Sequence, residues 1–527
     1  MNSSERNHRM NRIIFPLFGL MILLAGNGCL SQTQTVPPER TFRNFSGVCH
    51  GNASLPELWP MALGWDRMDL SWHTLQSERG GKWNIEALKK FGNRILAMRT
   101  RGAKVLPILD YGSGWTTENI PDQEFDFCGR QYSITRRADG DFSLRVFNRQ
   151  KINGIERQIL VNATPITARR MSQRFVQDDQ VEEWKAFVRK AVSFLRKEPY
   201  SVEYFQIWNE AHPSSSFWYG DMDTYMRNVH LPAAEVIHEL GGKVVYGGWI
   251  CGAPLRELVN LLDRHDAWSS VDVIDIHYFP LAGMEYLRRA MAERGQEKKG
   301  IWQTELGFSS DPNYIGNLYP RILYWALANG WNWADQYKVF YFAYSSPDDP
   351  KAYGFGRSLM LGKRQNLSGK SLETLAELLN GAPLESYAPV KSTPKLKFEL
   401  NELASSLESF RVGNRIITAA HLLPNNHAKI FVDWNGDQDT IHLDYELPVL
   451  RLEFPKIAPD CIAKIERVSM YGSRMDLTER LEAGDGTAVN VPIREPDRSE
   501  FRFTDMPEDF LPQVFYTVIT LKTAGGR

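Results

Sequence analysis

The chain has 527 residues, of which 43% are hydrophobic and 24% charged, and this is the composition of a globular protein large enough for two or three domains. Its 62 basic and 63 acidic residues leave a formal net charge of -1, so no overall field favours nucleic acid or an anionic membrane. Aromatic residues make up 12% of the chain, a content that suits sugar stacking and a large core equally.

The N-terminus carries the pattern of an export signal. Three arginines precede an apolar run over 13–25, which is too short to span a bilayer and has the length of a signal-peptide core. Gly28-Cys29 follows, as at the cleavage site of a bacterial lipoprotein. We therefore predict an exported protein with a signal peptide over 1–29 and a polar tether over 30–41. Lipidation of Cys29, which would be its sole attachment to a membrane, and ordinary secretion both fit this pattern.

From residue 42 the sequence alternates between apolar strand-like runs and amphipathic helical runs. Eight such strand–helix units are predicted, which is the number that closes a parallel barrel. We therefore predict an α/β fold, a (β/α)8 TIM barrel over 42–385. The predicted strands are 45–51, 65–72, 105–111, 202–210, 244–251, 271–278, 300–306 and 337–344, and the helix predicted after the first strand covers 55–63.

The link after the third strand, over 112–176, is too long for an ordinary strand–helix connection. Two alternating runs, 131–135 and 142–147, flank Asp139-Gly140, a dipeptide typical of a β-hairpin. The link leaves from the C-terminal face of the barrel, where the active sites of this fold lie, so we interpret it as a small β lid beside a cleft. A decorative insertion with no role in the site is the alternative.

Beyond residue 391 the helical patterns stop and short alternating runs take over, separated by turn residues such as Asn435-Gly436. Runs of this length and spacing are typical of an antiparallel β-sandwich. We predict such a domain over 391–527, as structural support for the barrel. Two of its predicted strands cover 429–434 and 441–445.

Two of the predicted barrel strands end in a glutamate. The fourth closes with Trp208-Asn209-Glu210 and the seventh with Thr304-Glu305. The glutamates are 95 residues apart, or about three units of a ~250-residue barrel, which matches the step from strand four to strand seven. Both carboxyl groups then lie on the C-terminal face, where hydrolysis of a glycosidic bond with retention needs a nucleophile and an acid/base about 5–5.5 Å apart. A pair of structural salt-bridge residues is the alternative.

This combination of Trp208-Asn209-Glu210 with Thr304-Glu305 resembles clan A of the glycoside hydrolases, with families 39, 5 and 30 nearest in character. The resemblance covers the barrel, about two thirds of the chain. It implies that Glu210 is the acid/base, that Glu305 is the nucleophile and that Asn209 hydrogen-bonds the sugar 2-hydroxyl. Strict alternation would point Asn209 and Glu210 to opposite faces, so a bulge is predicted at this strand end.

Three more candidates follow from the same resemblance. His277 and Tyr278 close strand six, where clan members carry a histidine or tyrosine beside the nucleophile. Arg67 on strand two resembles the arginine that keeps the nucleophile ionised and oriented. By alternation Asp69 shares the face of Arg67, so a structural Arg67–Asp69 pair is the alternative.

A last group of candidates lies on predicted loops or strand ends of the active face. Trp115 and Trp249 are candidates to stack on sugar rings, although packing in the core suits each of them equally well. His212 follows the acid/base directly and is a candidate for the leaving-group side of the cleft. A plain loop histidine is the alternative.

The sequence thus predicts a retaining glycosidase that acts on a poly- or oligosaccharide. No metal or organic cofactor is expected, because the cysteines lack metal-ligand spacing and the two carboxylates suffice for the chemistry. A transglycosylase would use the same residues and differ only in the acceptor. The interpretation from another class is a catalytically inactive glycan-binding protein, which would bind sugar without turnover.

Overall fold

The computed structural model describes residues 40–51, 63–115, 119–309, 311, 313–388, 390–422, 449–484, 486–493 and 514–523. The predicted signal peptide lies outside these residues, as do nearly all of the predicted tether and of the helix predicted over 55–63. The strands predicted over 429–434 and 441–445 also lie outside them. Within the described residues, no helix has both the length and the hydropathy required to cross a bilayer.

A parallel barrel begins near the start of the described chain. The third helix of the chain, Ile85–Thr100, has apolar side chains at helical spacing on one face. Asn84 caps its N-terminus, where the Asn84 side chain accepts a hydrogen bond from the Ala87 N–H. The first elements are α1 (Phe42–Phe45), β1 (Ser46–Cys49), β2 (Trp65–Ser71), α2 (Trp72–Leu75), α3 (Ile85–Thr100) and β3 (Lys104–Asp110).

The segment after β3 folds as a separate antiparallel sheet of four strands, which confirms the β-rich insertion. Asp139-Gly140 lies in the turn between its second and third strands, where the sequence predicts a hairpin. The first strand of this sheet was not predicted, because three of its five residues are acidic or polar. The elements are β4 (Gln123–Phe127), β5 (Arg130–Arg136), β6 (Phe142–Ile152), β7 (Ile155–Ile166), α4 (Ala168–Gln173) and α5 (Val181–Leu195).

The remaining elements complete the barrel, and parallel pairing of its strands all the way round confirms the TIM-barrel prediction. A π-helical turn over Met226–His230 joins two of the helices. The strands are β8 (Tyr204–Ile207), β9 (Lys243–Tyr246), β10 (Trp249–Ile250), β11 (Val273–His277), β12 (Gly300–Gly307) and β13 (Tyr337–Phe342). The helices are α6 (Met222–Tyr225), α7 (Leu231–Glu239), α8 (Leu255–Arg264), α9 (Leu281–Ala292), α10 (Asn313–Ala328) and α11 (Leu367–Leu379).

Aromatic side chains fill the barrel at the end where its strands begin. Trp65 and Trp302 meet with ring centroids 5.4 Å apart, and Tyr204 and Phe340 pack against Trp302 at 5.0 and 6.1 Å. These residues form one buried apolar cluster. A buried ion pair also lies at this end, where Lys338 bonds Asp335 at 2.8 Å and its ammonium group lies 4.3 Å from the centre of the Trp65 ring.

A three-stranded sheet of short strands follows the barrel, and then comes the predicted β-sandwich. Within the described residues, the sandwich consists of a six-stranded and a four-stranded antiparallel sheet around a buried apolar core. Its first strand lies at 384–386, earlier than the predicted boundary at 391. The strands are β14 (Ser345–Ser346), β15 (Met360–Leu361), β16 (Arg364–Gln365), β17 (Leu384–Ser386), β18 (Lys391–Thr393), β19 (Ser406–Val412), β20 (Arg415–His421), β21 (Val449–Phe454), β22 (Ile462–Ser469), β23 (Arg474–Asp476), β24 (Leu481–Gly484), β25 (Gly486–Pro492) and β26 (Val514–Leu521).

Candidate active site

The strand that leads to Glu210 ends just before it. β8 stops at Ile207, and both Trp208 and Glu210 adopt the left-handed conformation, with φ of 67° and 46°. This conformation is costly for a residue that has a Cβ, and the hydrogen bond from Glu210 N–H to Gly247 O at 2.8 Å helps to hold it. The kink lets the side chains of Asn209 and Glu210 both reach the barrel mouth, which a regular strand would not allow.

Glu305 lies on β12 where the sheet register is irregular. The pairing of β12 with β13 shifts between Gln303 and Leu306. Its pairing with β11 shifts between Asp275 and His277, which places Glu305 opposite His277. Irregularities of this kind re-aim side chains at the rims of barrels. Here they direct Glu305 towards the side chains at the end of β11.

A single buried arginine joins the strands that carry the two glutamates. Arg67 donates from Nη1 to Glu305 Oε1 and from Nη2 to Asn209 Oδ1, both at 2.6 Å, and from Nε to Gln206 Oε1 at 2.7 Å. Its side chain is 1% exposed. Burial alone would lower the pKa of Arg67, but the Glu305 carboxylate raises it above its usual range. The ion pair thus forms with Glu305, and not with Asp69 as in the alternative interpretation.

Loss of this arginine should destabilise the fold. In Arg67→Met the Glu305 carboxylate stays buried without the guanidinium group that bonds it at 2.6 Å, and removal of one partner of a buried ion pair costs about 3–5 kcal/mol. The free energy of unfolding, measured by urea denaturation, should fall by this order in Arg67→Met. It should recover in part in Arg67→Met/Glu305→Gln, where neither charge remains. Equal stability of Arg67→Met and the wild type would contradict the buried pair.

His277 lies between the two glutamates at the end of β11. Its Nδ1 is 2.9 Å from Glu210 Oε1 and 3.8 Å from Glu305 Oε2, and its Nε2 is 3.1 Å from Thr304 Oγ1 and 3.3 Å from Asp275 Oδ2. Burial alone would lower the pKa of this imidazole, but the negative charges of Glu305 and Asp275 and the hydrogen bonds to Asp275 and Glu210 raise it to about 10. His277 is therefore an imidazolium at neutral pH and donates from both nitrogens.

The raised pKa of His277 makes the stability of the fold depend on pH. A histidine in an unfolded chain has a pKa of about 6.5, whereas that of folded His277 is about 10. Its contribution to stability is therefore complete below about pH 6.5 and is lost as the pH rises through about 10. Between about pH 7 and pH 10 the free energy of unfolding of the wild type should fall more steeply than that of His277→Gln. Urea denaturation of both proteins across this range is the measurement, and parallel slopes would refute a charged His277.

Tyr278 covers the second oxygen of Glu305. Its hydroxyl donates to Glu305 Oε2 at 2.9 Å. Burial and the negative charge of Glu305 raise the pKa of Tyr278 above its usual range, so the phenol keeps its proton. Arg67 and Tyr278 thus each bond a different oxygen of the same carboxylate. Charge-assisted hydrogen bonds of this kind favour the ionised form and fix its orientation.

Two of the predicted substrate contacts are buried under the barrel mouth. The His212 ring is fully buried, its Nδ1 bonds Ser214 Oγ at 2.8 Å, and burial, followed by the charge of His277, lowers its pKa to about 3. Trp249 is 1% exposed and packs 5.3 Å from His212. Phe127 of the insertion stacks on His212 at 5.9 Å. The rings of His212 and Trp249 therefore contact protein, and core packing is the interpretation that fits them.

Trp115 is also engaged by protein groups. Its ring N–H donates to Gln76 O at 3.0 Å, and its ring meets Trp72 edge-on at 5.7 Å. Trp72 in turn packs against Trp184 and Phe187 of α5 at 5.8 and 6.1 Å. Trp115 thus packs with the outer helices, which again favours the interpretation as a packing residue over that as a sugar platform.

Several buried residues that hold the site together were not predicted from the sequence. Asp275 accepts from Thr304 Oγ1 at 2.5 Å, and Gln206 accepts from Arg67. A polar residue inside an apolar strand was the available signal, since such a residue must find a partner when buried. Gly248, with φ of 67°, is needed because a Cβ there would lie 2.4 Å from His277 Nε2.

The site also contains a donor set for a cation. Ligand atoms of Glu210, His277 and Glu305 lie within 4.8 Å of one another. Two carboxylates and an imidazole are ligands that transition metals accept. A cation would, however, have to displace Arg67 from Glu305 and remove a proton from His277, whose pKa is about 10. The residues therefore fit acid–base chemistry better than metal binding.

Comparison with solved structures shows which known proteins share this fold. A GH39 enzyme from Xanthomonas axonopodis pv. citri matches with a TM-score of 0.51 at 12% identity, over 93% of this chain and 96% of that one. A GH30 endoxylanase from Clostridium papyrosolvens matches with a TM-score of 0.50 at 9% identity, over 92% and 98% of the two chains. A monomeric β-xylosidase from Caulobacter crescentus matches with a TM-score of 0.50 at 12% identity, over 92% and 97%. No family model and no curated protein matches the sequence. The resemblance to clan A is thus confirmed at the level of the fold.

Proposed function

We propose that this protein is a retaining glycoside hydrolase with Glu305 as nucleophile and Glu210 as acid/base. The observation that carries the proposal is the spacing of the carboxylates, since one oxygen of each, together with a nitrogen of His277, lies within 4.8 Å of the others. Double displacement suits carboxyl groups about 5–5.5 Å apart, whereas inversion needs ~6.5–9.5 Å to admit a water molecule. The spacing therefore favours retention.

In the first step Glu305 attacks the anomeric carbon while Glu210 protonates the departing glycosidic oxygen. Arg67 and Tyr278 each bond one oxygen of Glu305 and so fix the direction of its carboxylate. The Asn209 amide is oriented by Arg67, which occupies its Oδ1 and leaves its Nδ2 as a donor. That donor is available for the sugar 2-hydroxyl, a contact that strengthens in the transition state.

In the second step Glu210 acts as a base. It takes a proton from water, which attacks the anomeric carbon, breaks the ester bond to Glu305 and releases the sugar with its original configuration. Between the two steps Glu210 is a carboxylate, and the His277 imidazolium, 2.9 Å from its Oε1, stabilises that form. His277 thus acts on Glu210 in the interval between proton donation and proton uptake.

The proposal extends to the setting in which the enzyme works. We propose a poly- or oligosaccharide as its substrate and an exported protein, attached to a membrane through Cys29 or secreted, as its mature form. The signal pattern over 1–29 supports export. A mass measurement of the mature protein from its natural host would show whether residues 1–28 are removed and whether Cys29 carries lipid.

The test of the mechanism is covalent labelling with 2-deoxy-2-fluoro glycosides that carry a good leaving group. These compounds trap the glycosyl ester, so the protein mass should rise by one fluorosugar and the label should map to the peptide that holds Glu305. The panel starts with xylosides, because two proteins of the same fold are an endoxylanase and a β-xylosidase. Glu305→Ala serves as the matched control and should remain unlabelled.

Other outcomes of this experiment would change the proposal. A label on a carboxylate other than Glu305 would overturn the residue assignment. Glycan binding without label or turnover in the wild type would favour the inactive glycan-binding protein. A label on Glu305, together with turnover in which a sugar and not water takes up the glycosyl group, would identify a transglycosylase. That enzyme uses the same two residues.

A further inference from the structure

A cavity of about 490 Å³ lies between the insertion sheet and the loop that follows Glu210. The loop side is formed by residues 213–216 and Tyr219. This loop is tied to Glu210, because Ser215 Oγ donates to Glu210 O at 2.5 Å. The cavity is therefore next to the loop that follows the proposed general acid, the residue that protonates the leaving group.

The opposite side of the cavity is one face of the insertion sheet. Tyr132 pairs with Val146 and Val146 with Asn162, so these residues form a row across β5, β6 and β7. Arg130 lies two residues before Tyr132 and Leu144 two before Val146, so both share this face. Tyr132 and Val146 are buried and form an apolar floor.

The same face of the sheet is packed against the barrel. Phe125 is opposite Tyr132 and stacks on it with ring centroids 5.4 Å apart. Phe127, two residues further along β4, stacks on His212 at 5.9 Å and meets Trp249 at 6.1 Å. The cavity therefore lies in an open cleft between two packed elements, with buried side chains behind both of its walls.

Positive charge is concentrated at the rim of the cavity. Arg130 and Arg170 both line it and are exposed. Within the described part of the chain neither arginine forms an ion pair, whereas Arg149 of the same sheet pairs with Asp126 at 2.8 Å. The Arg130 side chain bonds the Tyr132 hydroxyl, and neither its guanidinium group nor that of Arg170 is neutralised by a carboxylate in this part of the structure.

The composition of the insertion agrees with this distribution of charge. Residues 112–176 contain ten basic and seven acidic side chains, a net charge of +3 in a chain whose total is -1. A local excess of one sign attracts ligands of the other. Asn162, Thr164, Ser214 and Ser216 also line the cavity and offer amide and hydroxyl groups of the kind that bind sugar hydroxyls.

We infer that this cavity binds the leaving-group portion of a glycan that carries an anionic substituent, either a uronate carboxylate or a sulfate ester. The inference rests on the proposed function, because Glu210 defines which side of the site receives the leaving group. Arg130 and Arg170 bond the anion with their planar guanidinium groups, which suit carboxylate and sulfate oxygens. Tyr132 and Val146 provide the floor under the sugar ring.

The test is calorimetric titration of the full-length Glu305→Gln protein, which binds glycans without turnover, with matched pairs of oligosaccharides. The pairs are xylohexaose with and without a glucuronate branch, an oligogalacturonate and its methyl ester, and a carrageenan hexasaccharide and its desulfated form. At least one charged member should bind about tenfold or more tightly than its neutral match, and this ratio should fall towards one when Arg130→Ala and Arg170→Ala are added. Preference in the first two pairs identifies a carboxylate, and preference in the third a sulfate ester.

Arg145→Ala is the matched control, because Arg145 is an exposed arginine of β6 that lies between Leu144 and Val146 and so points to the other face. Its removal changes the net charge equally and should leave the preference intact. Lack of preference in all three pairs, or an equal loss in the Arg145 variant, overturns the inference. Labelling of wild-type Glu305 by a fluoroglycoside tests the proposed function alone, because the label does not depend on the cavity. A labelled enzyme that shows no preference for charged glycans would therefore refute this inference and leave the proposed function in place.

Discussion

Replacement of Glu305 by alanine should reduce kcat by a factor on the order of 10⁴ to 10⁶. In the proposed mechanism no other group forms the bond to the anomeric carbon, and Arg67 and Tyr278 hold this carboxylate by both of its oxygens. Initial rates on an aryl glycoside that the wild type hydrolyses provide the measurement. Glycan affinity, measured in parallel, separates lost chemistry from lost binding.

Azide provides the decisive control for this variant. The space left by the Glu305 side chain admits a small anion, which can attack the anomeric carbon from the side that the carboxylate occupied. The product should be a glycosyl azide of inverted configuration, because only one displacement takes place. Unchanged turnover in Glu305→Ala, or an azide product of retained configuration, would be incompatible with Glu305 as the nucleophile.

The architecture of the barrel could be predicted because it follows from local patterns. Parallel strands buried on both faces are predominantly apolar, as in Tyr337–Phe342, where Lys338 is the one charged residue, and amphipathic helices follow the strands. Repetition of this unit eight times leaves few other folds. The positions of Glu210 and Glu305 then follow, because strand ends in such a barrel meet on one face.

Contacts between distant segments could not be predicted in this way. Arg67 and Glu305 are 238 residues apart, and only a resemblance to known enzymes pointed to their pairing. Local pattern favoured Asp69 as the partner of Arg67, since the two are on one strand face. The pairing of Arg67 with Glu305 depends on the shifted register of β12, and no periodicity in the sequence reveals that shift.

Burial of the candidate sugar platform has a similar origin. Trp249 is at a strand end of the active face, so its position along the chain suited both stacking and packing. The structure fills the space around it with His212 and with Phe127, which belongs to the insertion. The first strand of that insertion was itself unpredicted, so its effect on Trp249 could not be foreseen.

Replacement of Glu210 by alanine should slow hydrolysis by an amount that depends on the leaving group. Substrates whose leaving oxygen needs protonation should lose about 10²- to 10⁴-fold in kcat/KM, which is the usual contribution of general acid catalysis. A dinitrophenyl glycoside, whose leaving group departs without a proton, should lose much less in the first step. Since the second step also lacks its base, the glycosyl ester on Glu305 should accumulate and appear as a burst of released dinitrophenol. An equal loss for both kinds of substrate would show that Glu210 does not protonate the leaving group.

Azide distinguishes the two glutamates by the stereochemistry of its products. In Glu210→Ala the ester on Glu305 still forms, and azide then attacks it as a second displacement, so the glycosyl azide should have retained configuration. The same anion should give the inverted product with Glu305→Ala. Opposite products from two variants of one site arise only if the missing carboxylates act at different steps on opposite sides of the anomeric carbon. A retained product from both variants would mean that some third carboxylate forms the ester, and the close approach of Glu210 and Glu305 to His277 would then need another explanation.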